Sequence, residues 1–446
     1  MPQHGVTTVL TGNCSLSLVP VCDAHREEAI GVFSDIEDIP VSTMRDHLPW
    51  SWESYAEYRD AQGGEGLGVH VAALIGHSTL RIHALGAEAW ERASTPAERD
   101  RLVSVLEESM AEGCFGLSTS FFDTDRHARP VPSRRADDPE LEALVDVIHR
   151  NGAGLVEFIP NQSTEDPRRD LDRMAALVGP RNVTATWNGL VVSRMSPESC
   201  RLLAEHAERQ RAEGLPIFAQ FSPRTLDMMV TWEQSLIFVM HPEGWNVFMS
   251  EDDPDRRRAM LSDPEWRRIA REEWDAIPMS IFPIHHPEKA LFISVAHPEL
   301  EPWVGRSLGD LAAERSLHPS DALADWLLEN DLSPGVVAVG VANDEVEEVG
   351  RMLRNPATIV GASDAGAHLQ MMCAAGDTTL FLTRHVRDRG DFTLEEGIFE
   401  LTGRLADCFG FHQRGRIRPG LEADLVVFRL DELAWEKESM IDDLPG

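Results

Sequence analysis

Lysine is almost missing from this chain: of 41 basic residues only Lys289 and Lys437 are lysines, and the other 39 are arginines. Chemistry that needs a Schiff-base or carbamylated lysine must use one of those two positions, and neither ends an apolar, strand-like run. Cysteine is sparse too. The six residues (Cys14, Cys22, Cys114, Cys200, Cys373, Cys408) lack the close pairing of a zinc ribbon and the density of a disulfide scaffold, so reduced thiols are the default. No run approaches the roughly 18 consecutive apolar residues of a membrane span. The opening MPQHGVTTVL has no basic stretch followed by an apolar one, as a secretion signal would. Positive charge is in short supply overall, and a formal net charge of -34 repels phosphate backbones and anionic membranes. We expect a cytoplasmic protein whose partner is a small molecule rather than nucleic acid or a membrane; a homo-oligomer is left open.

What is present suits a globular protein. At 446 residues, 42% hydrophobic and 26% charged, the chain can build one large core plus a small appendage. Short β-rich runs alternate with helical stretches, the pattern of βα units around a parallel sheet. Candidate strands are 5–12, 69–76, 116–120, 155–160, 183–187, 216–221 and 358–364, and helices are expected over 97–112 and 197–213, each after a Ser/Thr-Pro start signal. Seven such strands predict an α/β fold, a TIM-like (β/α)8 barrel lacking its first strand. From about 222 to 300 the rhythm breaks, with Trp232, Trp245, Trp266, Trp274, a charged run from Glu251 to Arg258, and His285-His286. An insertion of this size reads as a lid over the barrel mouth or as a surface excursion. Residues 1–412 would form the barrel. Residues 413–446 would add part of a small β unit, with Pro419-Gly420 as a turn and Leu425–Phe428 as a buried strand.

In a barrel of this type chemistry sits where strands stop. Two ends stand out: Thr11-Gly12-Asn13-Cys14, and Gly361-Ala362-Ser363-Asp364 followed by Ala365-Gly366-Ala367-His368. A thiolate binds zinc well, and a carboxylate can ligate a metal or take a proton from water. Cys14 alone reads either as a buried small hydrophobe or as a ligand. Asp364 reads as a site residue, because an ionisable group closing an apolar strand is otherwise costly.

GVTTVLTGNCS (5–15), IGHSTLR (75–81), GCFGLSTS (113–120), GASDAGAH (361–368) and GRIRPGLEADLVVF (415–428) resemble, in this order, the N-acyl-D-amino-acid deacylase (D-aminoacylase) branch of the amidohydrolase superfamily. The resemblance implies a TIM barrel beside a small β-sandwich, zinc at the strand ends, and hydrolysis of an N-acyl bond by a zinc-activated water. It puts Cys14 at the family's metal-bridging cysteine and Asp364 at its catalytic aspartate, which accepts the water's proton and passes it to the leaving amine. The sequence departs from the pattern in four places. There is no His-x-His, so we expect a shortened barrel whose chain begins on the approach to the second strand. The fifth and sixth strand ends carry Glu157 and Trp187-Asn188 in place of histidines, which makes one zinc more fitting than two and leaves Glu157 either a substitute oxygen ligand or a buried carboxylate. The arginine that resembles a substrate-carboxylate anchor is missing after Asp364, where His368 is either a partner to a ligand or a packing residue. The chain also ends before further sandwich strands. His77 and Arg81 are candidates for the pocket mouth. The expected function is a metal-dependent hydrolase of linear amides resembling N-acyl-D-amino-acid deacylases. The alternatives are a hydrolase of another amide, a cyclic imide or an ester, and a degenerate homologue that only binds a ligand.

Overall fold

In a computed structural model of the chain, the structure describes residues 2–435 apart from 65, 126, 128, 163, 165, 194–196, 233–237, 239–240, 242, 277–285, 369–370 and 373–374. His285, Cys373 and Lys437 lie outside the described residues.

The strands in chain order are β1 (Thr8–Thr11), β2 (His70–Gly76), β3 (Gly116–Ser120), β4 (Leu155–Ile159), β5 (Thr184–Trp187), β6 (Ile217–Phe221), β7 (Leu226–Val230), β8 (Ala290–Ser294), β9 (Gly335–Ala342) and β10 (Thr358–Val360). Strands β1 to β6 and then β10 form one seven-stranded parallel sheet in that order. All seven fall within the runs expected from the sequence, and the two expected helices are Pro96–Ala111 and Pro197–Ala212. The first begins on a capping box: Thr95 accepts from the Glu98 amide while Glu98 reaches back to the Thr95 amide.

Alternation along these strands sorts the sheet's two faces. Leu117, Val156, Phe158, Ala185, Trp187, Ile217, Ala219 and Phe221 join the large core that packs the helices against the sheet. The residues between them, Ser118, Glu157, Thr186 and Gln220, share the other face. They are buried although polar. Register holds them in a layer: Ser118 pairs with Glu157, and Glu157 with Thr186. A polar inner face needs partners, which makes it the place to look for chemistry. β1 and β10 are the two sheet edges, and among the described residues no strand joins one edge to the other. A cleft of about 2180 Å³ opens there, lined by β1, Cys14, Glu37, Gln220, Asp364 and the 414–433 segment.

The break in rhythm after β6 is a second structural unit that runs further along the chain than the composition suggested. β7, β9 and β8 form a three-stranded antiparallel sheet. A separate aromatic core, with Trp232, Trp245, Trp266, Trp274 and Trp326, packs against it. The Thr231 hydroxyl, just past β7, bonds the Asp38 carboxylate at 3.2 Å, so this unit meets the parallel-sheet unit beside residue 37.

The C-terminal segment departs from expectation. Residues 423–429 form no strand, and Leu425, Val426 and Val427 are 61%, 49% and 97% exposed. A continuous apolar run was read as a buried strand, but the chain here is held by its polar residues, Asp424 bonding His70 and Arg414. Replacing Val427 by threonine should therefore shift the urea midpoint by less than about 0.5 kcal/mol equivalent; a large loss would show that the residue is covered in solution. Among the described residues no helix is long and apolar enough to cross a membrane.

Candidate functional site

The site is assembled from strand ends. After β1 the chain turns through Gly12, at φ +91°, where a Cβ would come within 2.6 Å of the Leu74 carbonyl oxygen. Only glycine fits this approach, and the turn sets Cys14 and Ser15 in the left-handed region, both at φ 63°. Gly12→Ala should cost about 2 kcal/mol of stability by urea unfolding; an unchanged midpoint would mean that the loop is not constrained. Beyond β10 positive φ recurs at Ala362, Asp364 and His368, at 54°, 48° and 50°, and at Gly366, at 104°. Both candidate loops thus carry non-glycine residues in a conformation that surrounding structure must hold, a feature that concentrates at functional sites.

The turn aims the Cys14 amide at Glu157, whose Oε2 accepts its N–H at 3.1 Å. Asn188, past the end of β5, donates its side-chain amide to the Cys14 sulfur at 3.9 Å. Asn13 donates to Gln220 Oε1 at 3.4 Å, and Gln220 donates in turn to the Thr186 hydroxyl at 3.1 Å. The β1 loop is thereby tied across the inner face to β4, β5 and β6.

Electrostatics single out the same spot. Burial, then the charges of Glu37, Asp123, Glu157 and Asp364, push the Cys14 thiol well above its ordinary pKa. Burial also raises Glu157 well above the usual carboxylate range, with Asp123 and Asp364 adding to it. It lifts Glu37 to about 8, Asp123 to about 6 and Asp364 to about 6. Burial lowers His368 to about 4. Glu37 Oε2, Asp123 Oδ2, Glu157 Oε1 and His368 Nδ1 are buried without a hydrogen-bond partner among the described residues. Carboxylates removed from water and facing one another demand either protons or a cation.

The donor chemistry fits a divalent cation: a thiol that binds zinc as thiolate, carboxylate oxygens, and buried oxygens without other partners. Among the described residues no three histidine, cysteine, aspartate or glutamate side chains converge as a coordination sphere would require.

Of the residues singled out in the sequence, Cys14 and Glu157 touch, and Asp364 lines the same cleft as Cys14 and bears electrostatically on both. His368 lies at their margin, its Nε2 3.8 Å from Glu37 Oε2. His77 and Arg81 do not reach the pocket. Both are wholly buried on the helix side of the sheet, where His77 bonds Thr119 at 3.0 Å and Glu140 at 2.8 Å, and Arg81 bonds both Glu140 oxygens at 2.6 and 2.5 Å. The reason is the alternation already noted: Thr119 points opposite to Ser118, and the residues opening the helix His77–Leu85 meet that outer side. Sequence reasoning missed Glu37 and Asp123. Asp123, three residues past β3, was reachable by the strand-end rule. Glu37 closes the helix Arg26–Glu37 and carried no such signal.

The Amidohydrolase family model matches residues 306–444. An uncharacterized protein of Mycobacterium tuberculosis is 29% identical over 96% of this chain and 72% of its own. The N-acyl-D-aspartate deacylase of Alcaligenes xylosoxydans xylosoxydans is 26% identical over 96% and 70%. The crystal structure of N-acyl-D-glutamate deacylase from Bordetella bronchiseptica, complexed with zinc and a phosphonate inhibitor, superposes with a TM-score of 0.58 at 21% identity, covering 95% of this chain and 73% of that one. These likenesses support an amidohydrolase, of the class that acts on carbon–nitrogen bonds other than peptide bonds. Within that class the chain is similar to the D-aminoacylase branch.

Proposed function

We propose that this protein hydrolyses linear N-acyl amides, with N-acyl-D-amino acids as the substrate class, at a single-zinc site held by Cys14, Glu157 and Asp364. The observation that carries the reading is the contact of Cys14 and Glu157 at one end of the parallel sheet, where Glu157 Oε2 accepts the Cys14 N–H at 3.1 Å and the other carboxyl oxygen has no hydrogen-bond partner among the described residues. When bound, the cation supplies Lewis acidity, lowering the pKa of a water and polarising the amide carbonyl. The protein's own residues do the rest. Asp364 takes the proton of the attacking water and returns it to the departing nitrogen, since a leaving amine must be protonated to go. Asn188 holds the Cys14 sulfur in place, and the chain Asn13, Gln220, Thr186 fixes the loop that presents it.

The test is a panel of N-acetyl-D- and N-acetyl-L-amino acids offered to zinc-loaded protein, with metal per chain counted by elemental analysis. Release of free D-amino acid by protein holding about one zinc supports the reading. A metal-loaded protein that cleaves none of the panel overturns it. A second reading has its own motive: Ala365 to His368 hold no arginine for a substrate carboxylate, and Arg224 near the site is already paired with Asp377 at 2.7 Å. Cleavage of a neutral amide, cyclic imide or ester in preference to the panel would establish that alternative.

A further inference from the structure

We infer that Ser78 and Thr79, in the first turn of the helix His77–Leu85, are positioning residues for Cys14: their hydroxyls clamp the residues that follow it and hold Cys14 against Glu157. This rests on the reading of Cys14 as a working group of the site, and it gives a task to the part of Ile75–Arg81 that the pocket left unused.

Cys14 and Ser15 are consecutive non-glycine residues at φ 63°, a conformation that L side chains disfavour and that neighbouring structure must hold. On one side Glu157 takes the Cys14 N–H. The helix supplies the other side. His77 and Arg81, four residues apart, share the helix face that meets Glu140, and Ser78 and Thr79 lie off that face, toward the β1 loop. A helix leaves its first N–H groups without partners inside it, and that of Ser78 goes to the Ser15 carbonyl at 3.0 Å. The Ser78 hydroxyl shares a hydrogen bond with the Ser15 hydroxyl at 2.8 Å. One position on, the Thr79 hydroxyl accepts the Ser17 N–H at 3.1 Å and donates to the Ser17 carbonyl at 3.0 Å. The Gly76 N–H adds a bond to the Ser17 hydroxyl at 2.9 Å, and a Cβ at Gly76 would lie 2.5 Å from the Ser15 carbonyl oxygen, so the two backbones are in direct contact. Five bonds from residues 76–79 thus fall on Ser15 and Ser17. Ser15, Ser78 and Thr79 are at most 2% exposed, so water does not replace a lost partner. The Ser78 hydroxyl also accepts the Ser133 N–H at 3.1 Å, and the Ser133 hydroxyl donates to the Ser120 carbonyl at 2.9 Å at the end of β3. One buried oxygen therefore ties the loop after β1 to the end of β3, and satisfying a single serine would not require that much.

The test alkylates the full chain with iodoacetamide under native, mildly alkaline conditions, with a chelator present so that no bound ion shields the thiol. Cys14 and Cys200 are followed separately by mass spectrometry of their peptides. Burial keeps the Cys14 thiol protonated and slow to react in wild type. Cys200, buried in the helix Pro197–Ala212 away from the clamp, reports opening of the whole fold. Ser78→Ala and Thr79→Val each remove a clamp hydroxyl. Each should speed alkylation of Cys14 by at least about tenfold, the effect of losing one buried hydrogen bond, while Cys200 reacts as in wild type. Thr79→Ser keeps the hydroxyl and should keep the slow rate. A merely structural role would speed both cysteines together or neither, which overturns the inference. Should Ser78→Ala fail to fold, Thr79→Val, which keeps the shape of the side chain, must show the selective effect alone. The same proteins are offered the N-acyl amino-acid panel. Selective exposure of Cys14 in a chain whose wild type cleaves none of the panel supports the clamp and overturns only the hydrolase reading. Cleavage by wild type with unselective alkylation in the variants overturns the clamp and spares that reading.

Discussion

Asp364→Asn should reduce kcat/KM on an N-acyl amide by about a thousandfold, within the range that general acid–base groups contribute and equivalent to about 4 kcal/mol of transition-state stabilisation. The substitution is chosen to isolate the proton-transfer role. Asparagine matches aspartate in shape and tolerates the left-handed conformation found here at φ 48°. It cannot take a proton from water. Removing the charge also relieves the raised carboxylates of Glu37 and Glu157, which both feel Asp364, so the fold should not suffer. The measurement is initial rate against substrate concentration for wild type and variant, beside circular-dichroism melting. Activity within tenfold of wild type in a folded variant would remove Asp364 from the reaction, and unfolding of the variant would assign it to structure. The same substitution tests position as well as chemistry, because the loop that carries Asp364 lies beside β10 at the sheet edge and faces Cys14 at the opposite edge.

The strands of the sheet could be read from the sequence because each is a short apolar run set between helices with clear start signals, and burying one face of a parallel sheet leaves few other arrangements. Cys14 and Asp364 were legible as candidates for a related reason: each closes an apolar strand, Asp364 with a charge that is costly there and Cys14 with a thiol that reads as a ligand or as a small buried hydrophobe. Glu37 and Asp123 were not, since a helix end and a loop impose no periodicity against which an acid stands out, and burial becomes visible only when distant segments meet. His77 and Arg81 show the opposite error. Their position after a strand suggested the mouth, but the helix begins at His77 and its first turn packs outward onto Glu140. The apolar run at 425–428 misled in its turn, because hydrophobicity alone cannot tell a buried strand from an extended segment laid along a cleft.

Glu140→Gln should cost about 3–5 kcal/mol of stability, because it leaves the wholly buried Arg81 guanidinium without its counter-charge while keeping the shape of the side chain. Burial pushes the Glu140 carboxyl up, but the hydrogen bond from His77 and the charge of Arg81 outweigh it and hold the group well below the usual carboxylate range. Burial lowers His77, so it stays neutral, donating Nε2–H to Glu140 and accepting at Nδ1 from the Thr119 hydroxyl. The pH dependence follows from both signs. A depressed carboxyl contributes stability that is present above its unfolded pKa, about 4.3, and is lost as pH falls through the folded value. A depressed histidine favours the unfolded state once pH drops below about 6.5, where only the unfolded imidazole takes up a proton. The urea midpoint of wild type should therefore decline below about pH 6.5 through His77 and further below about pH 4.3 through Glu140, and the second part should vanish in Glu140→Gln. Pairing the change with Arg81→Met, as Glu140→Leu with Arg81→Met, should restore much of the loss, since a buried ion pair is replaceable by apolar groups of similar volume. Unaltered stability together with lost activity in Glu140→Gln would instead return His77 and Arg81 to the pocket. The triad is therefore decided by comparing two measurements on one variant, the unfolding midpoint and the rate.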